Sequence, residues 1–374
     1  MISFALKILL SNRGKLITAL TGVIFSLVLV NVQGGLYLGL IHKASLLVDH
    51  TDADIWVGKH LVENVDLAND IPVEWLNRIR GLEGVALADP YIVQPSIATL
   101  PDGGFETLMI IGIDPLSKIG AAWNVDEGGE TYVYRPDSIT IDRLDARKLG
   151  YAQIGDIVEI SGHRAKITGF TDGVIGFMTT PYVFTNIDSA RQYAQIREGY
   201  CSYFLIQAAD GVNLNELSEE IRHLVPSANV YTAAQFRKIS QDYWMHRTGI
   251  GISFGMATVL GLLVGLLMVA QSLYALALDH VNDFATLKAI GAENGQILQV
   301  VLVQSCTIAV VGTLIGMGIV WVAETYCSTP LAPIEIPMIL RVAGIGLVAT
   351  ICLVASVLPF QRLRRIDPAI VLQG

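Results

Sequence analysis

Four windows of the chain, 16–40, 250–278, 297–323 and 339–360, are each apolar over more than twenty residues. About 20 apolar residues in a helix cross the roughly 30 Å hydrocarbon core of a bilayer. Inside hydrocarbon every backbone N–H and C=O must be satisfied within the segment, so all four windows are expected to be membrane helices. A chain that is 52% hydrophobic and 16% charged, with a mean hydropathy of +0.51, agrees with this and still leaves a sizeable polar portion. The first window is too long for the apolar stretch of a cleavable signal peptide and no A-x-A-like site follows it, so it reads as a retained anchor.

Charge placement orients these helices. Lys7, Arg13, Lys15 and Lys43 all precede the first carboxylate, Asp49. Lys7, Arg13, Lys15, Lys288, Arg362, Arg364 and Arg365 flank the apolar windows on one predicted side. The positive-inside rule then makes both termini cytoplasmic, in a multi-pass chain of the cell inner (plasma) membrane. The expected order is a lead-in amphipathic helix (1–15), helix one (16–40), an outer domain (41–248) and helix two (249–278). A cytoplasmic loop (279–296), helix three (297–323), an outer loop (324–338), helix four (339–360) and a cytoplasmic tail (361–374) follow. Residues 41–248 carry 17 Lys and Arg against 28 Asp and Glu. Such an acidic segment argues against nucleic acid as a partner, because phosphate binding needs a basic footprint, and leaves lipid as the surroundings of the windows.

The outer segment alternates β-rich runs, such as 53–58, 107–113, 138–142, 156–160, 164–170 and 203–208, with helical spacing at 73–82 and 214–225. The fold class is therefore an α-helical membrane protein with four transmembrane helices, one plus three, and an α/β extracytoplasmic domain between helices 1 and 2. The residues after Leu40 and those of 233–249 read either as helical extensions forming a stalk or as interfacial linkers with Tyr243 and Trp244 as aromatic anchors.

Motifs for chemistry are missing from the sequence. The seven histidines form no H-E-x-x-H, the four cysteines offer no metal-ligand spacing, and there is neither a Walker loop nor a G-x-S-x-G elbow. Cys201, Cys306, Cys327 and Cys352 read as small buried apolar residues without a disulfide. The windows lack the buried carboxylates expected of an ion-coupled transporter or an intramembrane enzyme. Their polar residues, Asn31, Gln33, Gln271 and Gln304 among them, read as helix-to-helix hydrogen bonds, and the glycines of 251–265 and 312–318 as packing faces within the chain or of a dimer.

One loop remains, "DHVNDFATLKAIGAENGQI". Val281, Phe284, Ala285, Leu287, Lys288 and Ile290 have the spacing of a short amphipathic helix, with Gly291 as its C-terminal stop. A helix this short is marginal alone and gains from a partner, either the membrane surface or a docked protein.

"FATLKAIGAENGQI" resembles the cytoplasmic signature of the FtsX/MacB-type ABC transporter permeases. The end, "LPFQRLRRIDPAIVLQ", resembles the closing pattern of that family, and the start, "FALKILLSNRGKLITALTGVIFSLVLV", its lead-in helix and first span. "QGGLYLGL" and "ADIWV" look most like DevC-like exporter permeases, whereas Asp283 stands where many members carry Glu or Arg-Glu. The resemblance implies a homodimeric permease without catalytic, cofactor or metal residues of its own, served by a separate cytoplasmic ABC ATPase subunit that binds ATP and Mg. It assigns Phe284, Leu287, Lys288, Ala289 and Gly291 to the ATPase contact. It implies mechanotransmission to the outer domains and efflux of an amphiphilic substrate with a periplasmic adaptor and an outer-membrane channel. Relatives with the same plan regulate cell-wall hydrolases, as FtsX does, or release lipoproteins, as LolC and LolE do.

Overall fold

The computed structural model describes residues 2–177 and 180–364 and divides into two compact units, with boundaries at Gly39/Leu40 and Gly249/Ile250. The ends of the chain form a helical unit and the middle forms an α/β unit. Arg365 and most of the closing family-like pattern lie outside the described residues.

The chain begins with α1 (Ile2–Ser11) and α2 (Arg13–Lys43), then a short α3 (Leu46–Asp49). The α/β unit continues with β1 (Ile55–Lys59), β2 (Ile71–Pro72), α4 (Glu74–Ile79), β3 (Val85–Thr99), β4 (Phe105–Ile113) and β5 (Val125–Glu127). Next come α5 (Thr131–Tyr134), β6 (Ser138–Asp142), β7 (Ile157–Ile160), β8 (His163–Thr171), β9 (Tyr182–Asn186), α6 (Ile187–Tyr193) and β10 (Tyr200–Cys201). The unit closes with β11 (Tyr203–Ala208), α7 (Leu214–Leu224), β12 (Ala228–Thr232) and α8 (Ala233–Arg247).

Strands β12, β1, β11 and β3 lie side by side, each antiparallel to its neighbour. With α4 after β1 and α7 after β11 this is the split β-α-β order of a ferredoxin-like sheet. Everything from β4 to β9 is inserted between its second and third strands. With the far half of β3 the insertion closes a ring: β3 pairs β4, β4 pairs β9, β9 pairs β6, β6 pairs β8, β8 pairs β7, and β7 returns to β3 through Ala98↔Ile160 and Thr99↔Glu159. Closure removes the exposed edges that an open sheet would offer to other chains.

Side chains alternate between two cores, as the two-residue period of a strand requires. Ile55, Val57, Leu108 and Ile110 join one core; Trp56, Met109 and Ile111 join the other. The second is aromatic: Trp56 packs on Tyr91, Tyr203 and Phe236 at 5.8, 5.3 and 5.4 Å between ring centroids. Phe236 comes from α8, whose start is fixed by a capping box of Thr232 and Gln235.

Both sequence extensions flanking the α/β unit are helical. Helix α2 continues to Lys43 and α8 to Arg247, and Asp49 of α3 accepts from Ser45 Oγ at 2.8 Å and from Arg237 of α8. Trp244 is buried against Phe177 at 4.3 Å, which corrects its alternative reading as a lipid anchor.

Asp66 accepts a hydrogen bond from the Tyr182 hydroxyl at 3.0 Å. Burial pushes its carboxyl from 3.8 up to about 6, against the opposing pull of that hydroxyl. The folded chain therefore holds a proton that the unfolded chain releases, so this contribution is full below about pH 4 and is lost as pH rises through about 6. Urea midpoints of wild type and Asp66→Asn compared at pH 4.5 and 7 are expected to show a steeper fall in wild type; parallel behaviour would refute it.

The helical unit adds α9 (Ile250–Asp279), α10 (Val281–Ala289), α11 (Asn294–Cys327), α12 (Met338–Ala355) and α13 (Val357–Arg364). Four stretches, Arg13–Lys43, Ile250–Asp279, Asn294–Cys327 and Met338–Arg364, are long and apolar enough to span a bilayer. Pro359 explains the break between α12 and α13, since it supplies no N–H to the preceding turn.

The first span is the post around which the others pack. Val23 lies at Gly312, Ser26 at Gly265, Leu27 at Gly316 and Asn31 at Gly344. These glycines therefore serve packing within the chain, where a missing side chain lets helices approach closely. Ser26 Oγ donates to Gly261 O at 2.9 Å and Gln304 Nε2 to Ala5 O at 3.4 Å, whereas Asn31 bonds back to Leu27 of its own helix. Gln271 is exposed in the single chain. The cysteines also divide: Cys201 and Cys352 are buried, but Cys306 and Cys327 are exposed on α11, which corrects the expectation that all four are buried.

Candidate functional site

Helix α10 is bounded at both ends by its own sequence. His280 separates it from α9, and Gly291 ends it with φ +101°, its N–H donating to Lys288 O at 3.0 Å while Ala292 N–H donates to Leu287 O at 2.9 Å. That positive φ is what only glycine adopts without strain, so Gly291 is the predicted stop. The polar residues that follow begin the next helix: Glu293 and Gln296 form a capping box at the start of α11.

The apolar stripe of α10 turns inward. Phe284 is 1% and Ala285 0% exposed, and Leu287 packs beside them. Phe284 meets Phe4 of α1 edge to face, with ring centroids 6.0 Å apart. Lys288 Nζ donates to the carbonyl of Arg364 at 2.7 Å, which ties α10 to α13. Of the residues proposed from sequence for a partner contact, Phe284 is thus a core residue and Leu287 half-buried, while Ala289 and Gly291 are exposed. The outward face consists of Asn282, Asp283, Thr286, Ala289 and Ile290, the last 80% exposed. Sequence reasoning missed Thr286 and Ile290 as the outward face because it gave the stripe to a partner. The signal lay in "ISFALKILLS", an apolar segment that itself needed something to cover.

Of the basic residues named for topology, Lys15 and Arg364 touch this loop or its borders. Lys15 pairs with Asp279 at the end of α9 and donates to Ala275 O at 2.8 Å; Lys7, Arg13, Arg362 and Arg364 are exposed on α1, α2 and α13. At the far ends of α11 and α12, Arg341 pairs with Glu324 at 2.6 Å. Among the described residues no group of three or more His, Cys, Asp or Glu could hold a metal ion.

Comparison with known proteins places this architecture. A family model for the MacB-like periplasmic core domain matches residues 16–224, and one for the FtsX-like permease C-terminal region matches residues 255–368. An uncharacterised ABC transporter permease of Mycobacterium tuberculosis is 24% identical over 93% of this chain and 92% of its own. Another, of Mycobacterium bovis, is 24% identical over 64% of this chain and 62% of its own. The periplasmic region of MacB from Actinobacillus actinomycetemcomitans aligns over 50% of this chain and 92% of its own, with 10% identity and a TM-score of 0.39. The periplasmic core match alone covers more than half of the sequence and the C-terminal match covers the remaining three spans, so the chain belongs to the MacB/FtsX family of ABC transporter permeases.

Proposed function

We propose that this chain is the permease of an ABC exporter, and that the outward face of α10 receives a separate cytoplasmic ATPase subunit. The observation that carries the reading is the 80% exposure of Ile290 on a helix that Gly291 stops and Phe284 backs. An exposed isoleucine beside Thr286 and Ala289 offers an apolar anchor to a partner's pocket, the kind of contact that dominates interfaces. Asp283 and the exposed Arg362 and Arg364 supply a polar rim. Both termini are then cytoplasmic and the α/β unit lies on the other side of the inner membrane. ATP and Mg belong to the ATPase, and this chain contributes motion instead of catalysis. Two copies acting together, with a periplasmic adaptor and an outer-membrane channel as in DevC-like exporters, would expel an amphiphile gathered outside the bilayer.

Ile290→Asp places a charge where the apolar anchor sits. It is expected to lower the amount of ATPase subunit that copurifies with the permease by at least about tenfold, equivalent to about 1.4 kcal/mol. Leu347→Ala, on the exposed side of α12, serves as a control that keeps the partner. Recovery of the ATPase at the wild-type ratio with Ile290→Asp would remove α10 from the docking surface.

A further inference from the structure

We propose that α1 and the elbow that follows it are the second half of the coupling element, a clamp that fastens the corner between α9 and α10 to the start of α2 so that displacement of α10 reaches α2 directly. The inference rests on α10 as the docking helix and assigns positioning roles to residues outside it.

Three kinds of contact make the clamp. Phe4 packs edge to face on Phe284. Ser11 Oγ lies 2.9 Å from His280 Nε2, and His280 Nδ1 lies 2.7 Å from Asp283 Oδ2, so the last residue of α1 is linked through the cap of α10 to its first turn. At the elbow, Asn12 Nδ2 donates at 3.3 Å to Asp279, the last residue of α9 and the neighbour of His280, and Lys15 at the start of α2 pairs with the same carboxylate. A helix that merely lay in the headgroup layer would need an apolar face and basic residues. It would not need a hydrogen-bonded seam to the helix cap of another segment.

The geometry also says where the motion goes. Asn12 Oδ1 accepts from Lys15 N–H at 3.3 Å, so the elbow between α1 and α2 is itself closed by a side chain. From that elbow α2 runs unbroken to Lys43. An unbroken helix transmits displacement along its axis. Rigid elements with packed and hydrogen-bonded neighbours are the physical means by which sites are coupled.

The test is a charge exchange in the full permease with the ATPase subunit that copurifies with it, in lipid nanodiscs, reading both ATPase retention and ATP turnover. Lys15→Asp and Asp279→Lys are each expected to retain the ATPase at the wild-type ratio and to lose fivefold or more of turnover. The double exchange is expected to return turnover to within about twofold of wild type, because it restores the pair with its sign reversed. Wild-type turnover in either single variant overturns the clamp, as does a double variant no better than the singles. Loss of the ATPase from the singles overturns it too, by making these residues part of docking. Wild-type permease that retains no ATPase would instead sink the docking reading itself. Should the charge variants aggregate, Ser11→Ala keeps the apolar contacts and is expected to retain the ATPase while losing two- to threefold of turnover; unchanged turnover there overturns the clamp.

Discussion

Trp56→Ala is expected to lower the urea midpoint of the α/β unit by about 1 M or more. Trp56 is 0% exposed and packs against Tyr91, Tyr203 and Phe236, three rings contributed by two further strands and α8. Removing a buried aromatic from such a site costs about 3–5 kcal/mol, the lost transfer energy plus the cavity left behind. Domains hold only about 5–15 kcal/mol in all, and a denaturant slope of about 1–3 kcal/mol per molar converts the loss into the stated shift. Trp56→Phe is a sharper control. The Nε1 of Trp56 has no hydrogen-bond partner among the described residues, so phenylalanine removes an unsatisfied buried donor along with some volume. It is expected to cost less than half as much as alanine. Equal losses for the two variants would mean that ring packing is not what holds this face.

Gly265→Leu is expected to reduce the yield of monodisperse chain in mild detergent by about tenfold or more. A Cβ at position 265 would sit 1.7 Å from Ser26 Oγ and 3.0 Å from Gly22 O, so even alanine cannot be added without moving α9 off α2. The displacement would also break the bond from Ser26 to Gly261 O. Overpacking by a single methyl costs about 1–3 kcal/mol, and leucine adds three further carbons to a contact between backbones. Gly318 offers the matched control, because a Cβ there meets nothing within 4 Å. Gly318→Leu should behave as wild type, and a similar loss for both would show that leucine in a span, not this contact, is responsible.

How much of this was legible from sequence depends on whether the signal is local. Hydropathy located the four spans but not their ends: α2 starts at Arg13 and α11 at Asn294, because Asn12 and Glu293 cap them with polar side chains that hydropathy does not count. Most β-rich runs correspond to strands, yet β3 was hidden by Pro90 and Pro95. Proline lacks the N–H for a ladder and usually argues against a strand. Here the strand changes partners midway. Residues to Tyr91 pair with β11 and residues from Ile92 pair with β4, so each proline has a side on which no N–H is required. The closed ring of six strands depends on pairings far apart in sequence and left no periodic trace. At the candidate site the helix and its Gly291 stop were legible, but its orientation was not. An apolar stripe reports that something covers it; it does not distinguish lipid, a partner, or α1 of the same chain.

The central claim is that ATP-driven movement at α10 reaches the α/β unit. It is tested most directly by the distance between spin labels at position 116 in the two copies proposed above to act together, in nanodiscs with the ATPase subunit. Leu116 is 93% exposed, and Leu116→Cys can be labelled once the exposed Cys306 and Cys327 are replaced. A shift in that distance when a non-hydrolysable ATP analogue is added, absent in Ile290→Asp, is the predicted result. An unchanged distance in the wild-type complex, or the same shift in Ile290→Asp, would contradict it.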